Sequence, residues 1–266
     1  MIKKDTQGVT FAKGFTAAGV KAGIKKSGNL DVAVIYTKTQ AVVAGTFTQN
    51  KVAAAPVYVS KEVVATGTAH AIVANAGCAN ACTGQQGLDD AHKMAQIAAD
   101  ELGVNADDVI VGSTGVIGVN LPMDKLEAGI KDAVANLSAD GSDNAGRAII
   151  TTDTHSKSVT CEFELSGKTV RMGAIAKGSG MIRPNMATML CYITTDIAID
   201  QALLQKAVSG CVEKSFNMIS VDGDMSTNDM VIVLANGEAN NAKITEENAD
   251  YQIFFDKLMM LCTELA

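Results

Sequence analysis

A threonine stands where a tight loop runs into a β-type segment, within residues 177–196. Gly178 and Gly180 allow backbone conformations that other residues avoid, and Pro184 favours extended geometry just before it. The loop therefore delivers Thr188 to the start of an apolar run. If the bond before Thr188 is cut, its new α-amino group can serve as the base for its own hydroxyl. The alternative is a β-branched residue in its preferred place at the start of a strand.

A second group of small polar residues follows an apolar run. Residues 109–112 are predicted to form a short strand that leads into the loop Ser113-Thr114-Gly115. A hydroxyl and a backbone N–H at such a place can both point at a developing negative oxygen, as in an oxyanion hole. The Thr114 hydroxyl and the Gly115 N–H are the two candidate donors. The alternative is an ordinary turn.

Two further stretches carry groups that could hold a substrate. Residues 148–154 (AIITTDT) read as a strand end with three threonines, whose hydroxyls could bind an amide or a carboxylate. Threonine is also common in strands for structural reasons alone. Lys177 ends a predicted strand beside a glycine turn, where an ammonium group could bind a carboxylate. It could equally be a solvated surface charge.

The elements that would position these residues are strands and helices in mixed order. Residues 8–60 read as strands and turns, with a hairpin formed by residues 30–36 and 41–47. A second hairpin, residues 158–165 and 168–176, feeds into Lys177. Residues 69–75 and 230–235 are predicted buried strands. Apolar spacing predicts helices at residues 88–102, 123–137, 201–216 and 248–266, and residues 138–144 read as a loop.

This order predicts an α/β fold of mixed sheets covered by helices. Strands and helices do not alternate regularly enough for a doubly wound sheet, and no GxGxxG fingerprint is present. The chain has 266 residues, of which 47% are hydrophobic, so it can bury a sizeable core.

Composition and charge argue against several classes of partner. The net charge of −7, the 4% aromatic content and the absence of Trp argue against a nucleic-acid surface. No apolar run approaches the ~18 residues that a membrane span needs, and the first residues lack the apolar core of a secretory signal. We therefore expect neither a nucleic-acid nor a membrane partner.

The cysteines and acidic residues show no convincing metal site. The six cysteines form no CxxC pair, and the three histidines stand in no ligand spacing. This pattern predicts free, mostly buried thiols in a reducing cytoplasm. Asp222 and Asp224 are similar to the opening of a calcium loop, but the glycine and the terminal glutamate are missing from their places. We expect no metal.

Four stretches in this order resemble one family. They are residues 75–84 (NAGCANACTG), 112–118 (GSTGVIG) with 151–154 (TTDT), 177–190 (KGSGMIRPNMATML) and 220–237 (SVDGDMSTNDMVIVLANG). Together they resemble the ornithine acetyltransferase family, also called bifunctional glutamate N-acetyltransferases. The resemblance covers nearly the whole chain. It implies a sandwich of two sheets between helix layers, of the self-cleaving N-terminal-threonine type.

The resemblance also implies an activity. The precursor would cut itself between Ala187 and Thr188, and Thr188 would then carry an acetyl group from N-acetylornithine to glutamate, in arginine biosynthesis. Residues 1–187 would form an α-chain-like segment and residues 188–266 the front of a β-chain-like segment. Two segments of each kind would make a heterotetramer. No organic cofactor is implied, although some family members also accept acetyl-CoA as a co-substrate.

Particular side chains acquire roles by the same resemblance. Thr114 and Gly115 match the oxyanion-hole residues. Thr151, with Thr152 as the near alternative, matches a substrate-binding threonine, and Lys177 matches a substrate contact, as does Thr188 itself.

The chain departs from the family pattern in two respects. Ala76 and Cys78 stand where the family more often has Ser and Asn, which weakens any chemical role for them. Family chains also continue well beyond Ala266, with a substrate-binding glutamate in that part. Because no acidic residue is evident beside the central loop, we expect self-cleavage with weak or absent acetyl transfer. The alternatives are a self-cleaving aminopeptidase or amidase, and an inactive fragment.

Overall fold

The computed structural model describes residues 2–154, 156–178, 180, 189–220 and 222–266. Its strands are β1 (Ile2–Lys4), β2 (Phe15–Val20), β3 (Val32–Phe47), β4 (Thr68–Cys78), β5 (Val109–Val116), β6 (Lys157–Leu165), β7 (Lys168–Lys177), β8 (Leu190–Thr195) and β9 (Met230–Ala235). Its α-helices are α1 (Ala55–Thr66), α2 (Gly84–Leu102), α3 (Met123–Ala135), α4 (Ser142–Ile149), α5 (Gln201–Glu213) and α6 (Ala249–Leu265).

Hydrogen bonds connect these strands into one mixed sheet. Its order is β1-β6-β7-β8-β9-β3-β4-β5, and β2 pairs with β3 beside this path. The pairs β4–β5 and β8–β9 are parallel, and the other pairs are antiparallel. The prediction of mixed sheets is therefore confirmed, as is the hairpin of β6 and β7 that leads to Lys177.

The 16-residue strand β3 joins the two halves of the sheet. Its first half pairs with β2 and β4, its second half pairs with β9, and the register with β4 shifts between Tyr36 and Ala41. The predicted hairpin at this place is wrong. The polar residues 37–40 (TKTQ) contain none of the glycine, proline or asparagine residues that tight turns favour, so the chain continues through an irregularity.

The two halves of the sheet pack face to face. Ile35 and Ile72 from one half share a buried cluster with Tyr192 and Ile232 from the other. A Cβ added at Gly112 of β5 would lie 2.1 Å from the Tyr192 hydroxyl, so a glycine is required for this close approach. The expected sandwich is therefore confirmed, with its two layers formed by one continuous sheet.

Helices cover both outer faces of the sandwich. α2 and α3 bury Met94 and Leu126 against β3, β4 and β5. α5 and α6 bury Leu204 and Phe254 against β6, β7, β8 and β9. The four predicted helices are confirmed, with α2 beginning at Gly84 rather than at residue 88. Among the described residues, no helix has the length and apolar character that crossing a membrane would require.

Three local predictions are wrong. α1 begins at Ala55, inside residues 8–60, which read as strands and turns, because Pro56 near a helix N-terminus and four valines disguise a helical segment. α4 begins inside the predicted loop 138–144 and ends at Ile149, so residues 148–154 form no strand. β5 continues through Thr114 to Val116, because it pairs with β4 along this length, so Thr114 lies in a strand rather than a loop.

Candidate active site

A cavity of about 750 Å³ opens where the ends of β4, β5 and β7 meet the segment before β9. Its lining includes four residues that the sequence predicted for the site: Thr114, Gly115, Thr151 and Lys177. Residues that are far apart in the sequence are thus brought to one place. The predicted cleavage pair, Ala187 and Thr188, lies outside the described residues.

Lys177 and Thr114 form a buried polar contact in this cavity lining. The Lys177 Nζ donates a hydrogen bond to the Thr114 Oγ1 at 3.3 Å, and the two residues are 3% and 7% exposed. Burial lowers the pKa of Lys177, while the Asp153 and Asp229 carboxyls raise it. Because the Thr114 oxygen accepts from Lys177, its own hydrogen is available to donate to another acceptor. The solvated-surface interpretation of Lys177 is therefore wrong.

Gly115, the residue after Thr114, lies where the backbones of β4 and β5 approach closely. It pairs in parallel register with Gly77 of β4, and the register of this pair is irregular at the next residue. Its φ of +135° and the 2.4 Å between a Cβ added there and the Gly77 carbonyl carbon both exclude a side chain. The glycine leaves the backbone of β5 exposed to the cavity. Donation from its N–H to an oxyanion remains a prediction.

Thr151 lies in the loop after α4, and Asp153 ties this loop to the end of β7. The Asp153 Oδ2 accepts from the Thr151 N–H at 3.3 Å, and its Oδ1 accepts from the Gly178 N–H at 2.7 Å. Thr152 also lines the cavity. The sequence singled out the threonines here, but not the carboxyl that fixes their loop.

Asp229, which sequence reasoning missed, is buried directly before β9. Its Oδ1 accepts from the Met189 N–H at 2.9 Å, and its Oδ2 is buried with no hydrogen-bond partner among the described residues. Burial raises the pKa of Asp229 to about 7, against lowering by the Met189 N–H, the Ser226 hydroxyl and the Lys177 ammonium. A buried carboxyl with a pKa near neutrality can exchange a proton at physiological pH.

Asn228, the residue before Asp229, joins the two halves of the sandwich beside the cavity. Its Nδ2 donates to the Ala79 carbonyl at 2.6 Å and to the Ser113 carbonyl at 2.9 Å. This holds the segment before β9 against the end of β5. The signal that could have found both residues is their position, two polar side chains immediately before a fully apolar strand.

Charged residues of both signs surround the cavity. The Lys25 Nζ donates to the Ala148 carbonyl at 3.1 Å, and burial lowers the pKa of Lys25, with Asp31 raising it and Lys177 lowering it in turn. Asp222 and Asp224 also line the cavity. The expectation that no acidic residue lies beside the central loop is therefore wrong. The segment before β9 brings Asp222 and Asp224 there, because residues 222, 224 and 226–228 all line the cavity.

Asn75 and Asn80 are occupied by local contacts. The Asn75 Nδ2 donates to the Cys78 carbonyl at 2.9 Å, and its Oδ1 accepts from the Ser113 hydroxyl at 2.6 Å. The Asn80 Nδ2 donates to the Gly87 carbonyl at 2.8 Å. Both side chains therefore stabilise the backbone around β4 and α2.

The six cysteines are free, and five of them are buried. Within the part of the chain that the structure describes, no three His, Cys, Asp or Glu side chains group as metal ligands.

Comparison with known proteins places this geometry in a family. Residues 16–266 match the sequence profile of the ArgJ family. The arginine biosynthesis bifunctional protein ArgJ of Symbiobacterium thermophilum is 51% identical over 261 residues, which cover 97% of this chain and 65% of that protein. The chain thus spans about two thirds of the length of that curated relative.

Solved structures agree with this match. An ornithine acetyltransferase from Mycobacterium tuberculosis, solved in complex with ornithine, is 40% identical with a TM-score of 0.65, over 71% of this chain and 99% of that one. The L-aminopeptidase D-Ala-esterase/amidase of Ochrobactrum anthropi, an Ntn-hydrolase variant, has a TM-score of 0.58 at 10% identity, over 98% of this chain and 85% of that one. That likeness concerns the fold alone. On the evidence of its sequence match and its architecture, the chain belongs to the ArgJ family.

Proposed function

We propose that this chain carries the acetyl-transfer site of arginine biosynthesis, moving an acetyl group from N-acetylornithine to glutamate through an acetyl-threonine at Thr188. The observation that carries the proposal is the buried contact of Lys177 with Thr114 in a cavity that also contains Gly115 and Thr151. Membership of the ArgJ family supports the same activity. The site would form after cleavage between Ala187 and Thr188.

The first half of the reaction loads the threonine. The Thr188 hydroxyl attacks the acetyl carbonyl of N-acetylornithine, and its α-amino group takes the hydroxyl proton. The Thr114 hydroxyl and the Gly115 N–H stabilise the negative oxygen of the tetrahedral intermediate. The C–N bond then breaks, the proton passes to the departing nitrogen, and ornithine leaves.

The second half returns the threonine to its free form. The amino group of glutamate attacks the acetyl-threonine ester, the ester C–O bond breaks, the proton that the nitrogen loses passes to the Thr188 oxygen, and N-acetylglutamate leaves. Both halves need a similar oxyanion contact, so the Lys177 hydrogen bond that orients Thr114 would serve both.

The charges of the cavity suit amino-acid substrates. Lys177 and Lys25 provide positive charge for an α-carboxylate, and Thr151 provides a hydroxyl. Asp222 and Asp224 provide negative charge for the side-chain ammonium of ornithine. We assign N-acetylornithine and glutamate as substrates on this basis, without a metal or an organic cofactor. Acetyl-CoA is a further donor to test.

Assembly and location complete the proposal. Residues 1–187 and 188–266 would remain associated after cleavage because β7 and β8 pair across the cleavage point. Two copies of each would form the heterotetramer that the family resemblance implies. The five buried free thiols suit a reducing cytoplasm.

The deciding assay incubates the purified chain with N-acetylornithine, with and without glutamate, and measures ornithine and N-acetylglutamate. Release of ornithine that depends on glutamate and yields N-acetylglutamate in equal amount supports the proposal. Release of acetate and ornithine without glutamate would instead indicate the hydrolase, and no turnover would indicate the inactive fragment. Saturable transfer would also show that residues 1–266 supply the acidic contact.

A further inference from the structure

The amide that follows Thr188 is fixed on both sides by the start of β9. The Met189 N–H donates to the Asp229 Oδ1 at 2.9 Å, and the Met189 carbonyl accepts from the Met230 N–H at 2.9 Å. The nitrogen that Asp229 binds is that of the Thr188–Met189 peptide bond. The carboxyl therefore binds the amide directly after the proposed nucleophile in the chain, and its second oxygen is buried without a partner among the described residues.

Self-cleavage, on which this inference rests as part of the proposed function, raises a chemical problem. Before the chain is cut, the nitrogen of Thr188 belongs to an amide, and its lone pair is delocalised into the carbonyl. It cannot take the proton of the Thr188 hydroxyl. The first cleavage therefore needs a proton acceptor that acetyl transfer does not need.

We infer that Asp229 is this proton acceptor and donor for self-cleavage. Its free oxygen takes the proton of the Thr188 hydroxyl while the hydroxyl oxygen bonds to the carbonyl carbon of Ala187. The C–N bond between Ala187 and Thr188 then breaks, and Asp229 returns the proton to the departing nitrogen. Water hydrolyses the resulting ester, which leaves a carboxylate on Ala187 and a free amine and hydroxyl on Thr188.

The electrostatic surroundings of Asp229 suit a reversible proton transfer. Burial raises its pKa to about 7, so both protonation states are populated near neutral pH. The Lys177 ammonium lowers the pKa of Asp229, and the Asp153 carboxyl raises the pKa of Lys177. Lys177 is a poorer choice for the same task, since its Nζ already donates to Thr114 on the oxyanion side.

A second buried aspartate offers a matched control. Asp196 follows the other end of β8, where its Oδ1 accepts from the Arg171 N–H at 2.7 Å and its Oδ2 accepts from the Lys13 N–H at 3.2 Å. Burial raises the pKa of Asp196 as well. Both carboxyls are thus buried and bind backbone, but Asp229 binds the amide that follows Thr188 in the chain, whereas Asp196 binds the Arg171 and Lys13 N–H groups.

The test follows the cleavage of freshly made native, Asp229→Asn and Asp196→Asn protein by intact mass from pH 5 to 9. We expect Asp229→Asn to slow cleavage by about 10²–10⁴-fold, which is the usual contribution of general acid–base catalysis. The native rate should change with pH around neutrality, and the residual Asp229→Asn rate should lose that dependence. Asp196→Asn should keep both the native rate and its pH profile.

Chemical rescue separates proton transfer from backbone positioning. In Asp229→Ala, added formate should accelerate cleavage in proportion to its concentration, whereas chloride at equal ionic strength should not. Native-rate cleavage by Asp229→Asn, or an equal loss in both asparagine variants, would overturn the inference. If the native chain itself stays intact, the proposed nucleophile fails with it, and that result is distinguishable from failure of Asp229 alone.

Discussion

The two ends of strand β8 each meet a buried aspartate, but the two carboxyls are satisfied to different degrees. Asp196 uses both oxygens, accepting one backbone N–H on each. Asp229 uses one oxygen for the Met189 N–H and leaves the other buried without a partner among the described residues. One carboxyl thus joins two backbone segments through both oxygens, whereas among the described residues the other does so through one.

This difference indicates which end of β8 lowers the free energy of unfolding. A buried acceptor without a hydrogen bond costs free energy, so it persists where it has a use. Changes at the Asp229 end of β8 should therefore act mainly on chemistry. Changes at the Asp196 end should act mainly on the free energy of unfolding.

The largest of these effects is expected in the cavity near the Asp229 end of β8. Thr114→Ala should slow acetyl transfer by about 10²–10³-fold, because it removes a donor to the developing oxyanion. The Michaelis constant should change much less, since the ground-state carbonyl needs this donor less. Steady-state kinetics with N-acetylornithine and glutamate measure both quantities.

Thr194 provides the matched control near the other end of β8. Its hydroxyl donates to the Val9 carbonyl at 2.7 Å, away from the cavity. Thr194→Ala should lower the free energy of unfolding by about 1 kcal/mol and leave the turnover number unchanged. If the turnover number falls equally in Thr114→Ala and Thr194→Ala, the two ends of β8 do not differ in their effect on catalysis, and this prediction is wrong.

The next effect concerns asparagine at the two aspartate positions. In Asp196→Asn, one backbone N–H would face an amide donor, so unfolding should become easier by about 1–3 kcal/mol. In Asp229→Asn, the amide oxygen can keep the Met189 bond, and the NH₂ group takes the place of the oxygen without a partner. The same substitution should therefore cost more stability at the Asp196 site than at the Asp229 site.

The pH dependence of stability sharpens this prediction. Because burial raises the pKa of Asp229 to about 7, the folded state binds the proton more tightly than the unfolded state. The free energy of unfolding of the native protein should fall as pH rises from about 4 to 7, and Asp229→Asn should not show the part of this fall that Asp229 causes. Denaturant unfolding at pH 8 should then give Asp229→Asn an advantage of about 1–3 kcal/mol. Destabilisation equal to that of Asp196→Asn would contradict the account.

The smallest effect concerns the middle of β8. Gly112→Ala should cost about 1–2 kcal/mol, because its Cβ would meet the Tyr192 hydroxyl at 2.1 Å. Tyr192→Phe removes that oxygen, so the double variant should recover most of the loss in thermal unfolding. Additive losses in the double variant would show that the two sheet halves do not meet at these residues.

Much of the fold could be predicted from the sequence where a local pattern decides the structure. β9 has the bounds that its apolar run predicted, and the helices with a clear apolar face were found. The errors at β3 and α1 arose where tertiary pairing overrides local preference. Residues 37–40 look like a turn until both β4 and β9 pair with the strand that contains them.

The candidate site also contains residues that the sequence predicted and one that it did not. Thr114, Gly115, Thr151 and Lys177 stand in recognisable motifs, and the cavity contains all four. Asp229 was missed, because it is one of three similar aspartates within residues 220–230. The packed structure adds what its position before an apolar strand does not show, namely its burial and an oxygen with no hydrogen-bond partner among the described residues.

The most direct measurement is the intact mass of the purified chain beside that of Thr188→Ala. The account predicts that the native protein gives two pieces, one ending at Ala187 and one starting at Thr188, while the variant stays at 27.6 kDa. Thr188→Ser should give some of both pieces, because it keeps a hydroxyl. A native chain that remains at 27.6 kDa, or an alanine variant that is cut at the same bond, would contradict the account.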